Sequence, residues 1–109
     1  MMKMLIELNN ELIENDGYSI EKMWGEIDAV FAKADCTKNI IDNKTVMYEG
    51  NPNKGSLMRD MYIIYSDLSD SEWFEKYASK WTVYENEDDE SLSFQETDGL
   101  ACMKKYKYI

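Results

Sequence analysis

Carboxylates are the residues of this sequence whose types and spacing could do chemistry. Glu7, Glu11 and Glu14 recur at i, i+4 and i+7. On a helix rising ~1.5 Å per residue they form a row with about 5–6 Å between neighbours along the axis. A nucleic-acid strand advances ~3.4 Å per phosphate, so a fixed row of carboxylates can imitate phosphates and occupy a cationic groove. Glu21, Asp28 and Asp35 repeat the idea at i, i+7 and i+14. The solvated face of an amphipathic helix presents the same pattern, and spacing alone leaves both readings open.

A second group is denser. Glu85, Glu87, Asp88, Asp89 and Glu90 place five acids within six residues, Glu85 to Glu90. Their mutual repulsion is costly unless solvent screens it or a cation matches it. A solvated loop, the basic surface of a partner and a Ca²⁺ ion are the three uses for such a run. The spacing does not follow an EF-hand loop, and no glycine within the run makes its sharp turn. No metal or other cofactor is expected.

Other chemistry is poorly represented. The chain has no histidine, which removes Ser-His-Asp and Cys-His catalysis and His-containing zinc sites. There is no glycine-rich phosphate loop and no nucleophile elbow. Cys36 and Cys102 form no CxxC pair; with no signal-peptide pattern at the N-terminus, they suggest reduced thiols in a cytoplasmic protein. No apolar run approaches the ~20 residues of a membrane span. The expectation is a non-enzymatic protein that binds neither membrane nor nucleic acid directly.

The elements that must position these carboxylates fit one domain, residues 1–109, with 44% hydrophobic residues to supply a core. Met1, Leu5, Leu8 and Leu12 fall at helical spacing and predict a helix over about 2–15, stopped by Gly17. Ser19 reads as the N-cap of a second helix whose apolar face is Ile20, Met23, Trp24, Ile27, Phe31 and Ala34, and which is expected to end near Asp35 or Cys36. Residues 40–48 read as one bent strand or two short ones, and 57–65 as a long strand apolar on both faces. Ser69-Asp70-Ser71-Glu72 has the form of a capping box for a third helix, with Trp73, Phe74, Tyr77 and Trp81 inward. Strands are expected over 81–85, 91–96 and 100–108, with Asp98-Gly99 as a hairpin turn. The predicted fold is α+β, a mainly antiparallel sheet of about five strands with three helices in the order ααββαβββ.

Charge divides unevenly along this frame. The net charge is −10; it resolves into −5 over residues 1–35, +1 over 36–66, −9 over 67–98 and +3 over 99–109. Two acidic islands flank a neutral centre, and the natural partner is a cationic surface. Lys104, Lys105 and Lys107 alternate with tyrosines in the tail, a pattern that could bind phosphates but fits better the protection of an edge strand. In size and charge, carried by Glu7, Glu11, Glu14 and Glu85 to Glu90, the chain resembles phage-encoded anti-defence proteins of the anti-CRISPR kind. That resemblance implies an inhibitor occluding the nucleic-acid channel of a nuclease or effector. An immunity protein neutralising a cognate toxin has the same electrostatics. A homo-oligomeric structural or adaptor protein using the tyrosine-rich sheet is the third alternative.

Overall fold

The computed structural model describes residues 2–32, 36–50, 57–85 and 95–101. Its elements are β1 (Met2–Leu8), α1 (Asn10–Asn15), α2 (Ile20–Phe31), β2 (Thr37–Ile40), β3 (Thr45–Glu49), α3 (Leu57–Ser69), α4 (Glu72–Tyr77), β4 (Ala78–Glu85) and β5 (Gln95–Asp98). The strands form one antiparallel sheet in the order β2-β3-β1-β4-β5. The α+β class and the antiparallel sheet stand as expected. The order of elements does not, nor does the count of three helices, which α1 to α4 already exceed.

The first correction is the N-terminal segment, which is a central strand instead of a helix. Met4, Ile6 and Leu8 are buried, while Lys3, Leu5 and Glu7 between them are only half-buried. That is a period of two, the mark of a pleated strand. β1 pairs with β3 on one side (Ile6 opposite Val46) and with β4 on the other (Ile6 opposite Trp81). Directly opposite residues share a face, so Met4, Ile6, Val46, Tyr48, Trp81 and Val83 build one apolar surface.

The helices cover that surface. α2 lays down Met23, Ile27 and Phe31, and the Phe31 ring stacks on Tyr48 with centroids 3.9 Å apart. Ser19 caps it as expected, its hydroxyl accepting the Lys22 N–H at 3.3 Å. Gly17, at φ +82°, closes α1; the Gly17 N–H bonds to Glu14 and the Tyr18 N–H to Ile13, the pairing of a Schellman turn. α3 replaces the strand expected over 57–65. Leu57, Met61, Ile64, Tyr65 and Leu68 also fall at helical spacing, and Ile64 and Leu68 are buried in the core.

The third expected helix is shorter than its pattern. Ser71 caps α4 without a side-chain bond to it; its hydroxyl donates instead to the Asp67 carbonyl at 2.9 Å, joining α4 to the end of α3. The chain enters β4 at Ala78, so Trp81 lies on a strand, buried beneath Phe74 and Tyr65. Asp98-Gly99 is no hairpin turn. Residues 99–101 are helical, and the Asp98 carboxylate accepts the Ala101 N–H at 3.1 Å. The expected strand over 91–96 enters the described residues only at Gln95, the start of β5; residues 102–108 of the last expected strand lie outside them.

Gly99 is needed for close approach. A Cβ at this position would lie 2.4 Å from Cδ2 of the Trp81 ring, inside any real contact distance. Gly99→Ala is therefore expected to cost about 1–3 kcal/mol through displaced backbone or ring. A urea-unfolding midpoint equal to the wild type would show that Gly99 does not press on Trp81.

Candidate functional site

Burial of β1 decides where the carboxylates go. Glu7 sits on the strand, on the face opposite the core, and its carboxylate pairs with Lys44 Nζ at 3.3 Å. Glu11 and Glu14 lie on α1, exposed to solvent. The expected row of Glu7, Glu11 and Glu14 is therefore broken, because a strand and a helix cannot share one helical face. Glu85 ends β4, opposite Met2 and Gln95. Glu87, Asp88, Asp89 and Glu90 lie outside the described residues.

Two further carboxylates act as internal ties. Asp16, beyond the end of α1, accepts the Tyr77 hydroxyl at 2.7 Å and Lys76 Nζ at 3.0 Å, holding α4 to the α1–α2 turn. These bonds, Tyr77 first and then Lys76, hold its pKa below the ordinary aspartate value. Asp28 on α2 accepts the Tyr48 hydroxyl at 2.5 Å and Lys38 Nζ at 2.9 Å, joining the helix to β3 and β2. Burial, reinforced by Asp28, pushes the Tyr48 hydroxyl far above its ordinary pKa and keeps it a donor. Sequence spacing offered no sign of this network, since its three members lie on three separate elements.

Four carboxylates on α1 and α2 have no such partners. Glu11 and Glu14 on α1 and Glu21 and Glu26 on α2 are exposed and form no ion pair among the described residues. Lys22, the basic neighbour of Glu21 and Glu26, engages neither. Beside Glu21, α2 and the β2–β3 hairpin flank an open cleft of about 340 Å³. Its walls include Glu21, Trp24, Asp28, Lys38, Ile40 and Asp42. The Asp42 pKa is lowered because its carboxylate accepts the Lys44 N–H and the Thr45 hydroxyl.

This arrangement suits recognition of positive charge. Among the described residues, no group of three His, Cys, Asp or Glu is placed to hold a metal ion. The acidic run for which Ca²⁺ is one of three possible uses, residues 85–90, falls almost entirely outside them. No helix among the described residues is long and apolar enough to cross a membrane. Comparison with protein families, with curated proteins and with solved structures finds no match.

Both ties can be tested by their effect on stability. Tyr48→Phe removes a hydrogen bond to a charged acceptor and should cost about 1.5–3 kcal/mol in urea unfolding. Unchanged stability would mean that the Asp28 bond contributes nothing net. For Asp16, a depressed native pKa adds stability above the unfolded value, and this is lost as pH falls through the native value. Asp16→Asn should therefore destabilise at neutral pH and approach the wild type in strong acid. A pH-independent gap between the two would contradict the assignment.

Proposed function

We propose that this chain is a non-enzymatic binding protein that docks on a cationic protein surface, of the kind that receives nucleic acid, and inhibits by occupying it. The observation that carries this is the set of exposed helix carboxylates, Glu11, Glu14, Glu21 and Glu26, which have no ion pair among the described residues. They belong to a chain of net charge −10. Clustered like charge repels itself, and a basic partner relieves that repulsion while steering association. The acidic run from Glu85 to Glu90 joins the proposed surface on sequence grounds.

An inhibitor of a nuclease or CRISPR effector is the form of this function that the resemblance in size and charge implies.

Capture from a host lysate on the immobilised chain tests the proposal. At about 0.1 M salt the Debye length is ~10 Å and at about 1 M it is ~3 Å, so the partner should elute over that range. A fourfold charge reversal, Glu11→Lys, Glu14→Lys, Glu21→Lys and Glu26→Lys, should abolish capture in a variant that still unfolds cooperatively. The captured protein should lose nucleic-acid binding when the chain is added. Salt-resistant capture that survives the reversal would overturn the proposal.

A further inference from the structure

Among the described residues the sheet ends at β2, and Thr37–Ile40 pair there only with β3; all four residues are exposed. The Ile41 N–H bonds to the Thr45 carbonyl, and alternation along an antiparallel ladder then turns the Asn39 main chain inward and the Lys38 and Ile40 main-chain groups outward. The side chains of Lys38 and Ile40 lie opposite Tyr48 and Val46 and so share the helix-covered face. That face is where the cleft against α2 opens. Ile40, on this inner face, remains 71% exposed, and the adjoining Ile41 59%.

We propose that the free edge of β2 and the cleft beside it dock an extended, lysine- or arginine-rich segment of a partner protein, which adds a strand to the sheet. The inference rests on the proposed cation-binding function and names the form the partner takes. Charge selects the occupant. Lys38, the basic residue of the cleft wall, is paired with Asp28, leaving Glu21 and Asp42 as acids toward an incoming side chain. A strand paired to β2 directs alternate side chains to the cleft. A basic one lays its aliphatic stem on Ile40 and its charge near the two carboxylates and the Trp24 ring. Main-chain hydrogen bonds supply affinity, and the cleft supplies the preference for positive charge. A second copy of the chain brings the same acidic rim and a net charge of −10 to the same edge, which disfavours self-pairing.

The test is an NMR titration of the isotope-labelled full chain with a capped octapeptide of alternating lysine and threonine. Controls are its glutamate–threonine counterpart and a lysine peptide of equal charge interrupted by prolines. The lysine–threonine peptide should shift the amides of Lys38 and Ile40 and the indole of Trp24. The two controls should bind at least roughly tenfold more weakly. Ile40→Pro removes an outward donor while keeping the β2–β3 ladder, and should weaken binding to a similar degree; Ile40→Ala, which keeps that donor and trims only the apolar contact, should weaken it less. If Ile40→Pro fails to fold, the weaker binding of the proline-interrupted peptide carries the same test of main-chain pairing. Equal binding of the proline or glutamate peptide overturns the docking mode. Shifts confined to Glu11, Glu14 and Glu26 overturn it while leaving the acidic-surface function standing. No response to either this peptide or poly-L-lysine overturns both. Concentration-dependent protection of β2 in the free protein identifies a second copy as the occupant and also overturns it.

Discussion

Met4, Ile6 and Leu8 are withdrawn from solvent along one face of β1, and the remaining elements arrange themselves around that burial. Burying a side chain of this kind is worth ~1.5–3 kcal/mol, and three of them on a seven-residue strand fix its face and register. β3 and β4 must then lie on its two sides, bringing Val46, Tyr48, Trp81 and Val83 to the same surface. The helices follow, since this surface stays dry only when Phe31, Ile64, Leu68 and Phe74 close over it. Asn9, directly after the strand, ends the pairing and begins α1 by accepting the Leu12 N–H at 3.1 Å.

The distribution of charge is a consequence of that arrangement. Alternation in β1 sends Glu7 to the face away from the helices, where Lys44 of the β2–β3 turn meets it. Asp16 and Asp28 are taken up in bonds between distant elements, each with one tyrosine and one lysine. These carboxylates hold the fold and are poor candidates for a partner's attention. Glu11, Glu14, Glu21 and Glu26 belong to short-range helix surface and have no such task. Among the described residues, Glu7, Asp16 and Asp28 are thus tied into the fold, while Glu11, Glu14, Glu21 and Glu26 form no ion pair.

How much of this was legible in the sequence depended on how local the cause is. The start and apolar face of α2 could be read from Ser19 onward because cap and period both lie within one segment; its end, expected near Asp35 or Cys36, comes at Phe31. Gly17 could be read because only glycine takes a left-handed turn at little cost. Residues 2–8 satisfy two periods at once: Leu5, Leu8 and Leu12 suit a helix, while Met4, Ile6 and Leu8 suit a strand. The tertiary pairing with β3 and β4 chose between them. Leu57 to Tyr65 is ambiguous in the same way, with apolar residues on every face, and the run of thirteen residues to Ser69 is longer than most strands and favours a helix. At the candidate site, exposure of Glu11 and Glu14 was legible, but the separation of Glu7 from them followed the error in β1. The Asp28–Tyr48–Lys38 network and the cleft join residues that only the folded chain brings together.

Amide hydrogen exchange along residues 3–7 tests the organising role of β1 most directly. If the strand is the keyed centre of the sheet, the Leu5 and Ile6 amides should exchange only through global unfolding, at least as slowly as Ile27 and Phe31 in α2. Exchange at residues 3–7 that is orders of magnitude faster than in α2, with the fold intact, would contradict it.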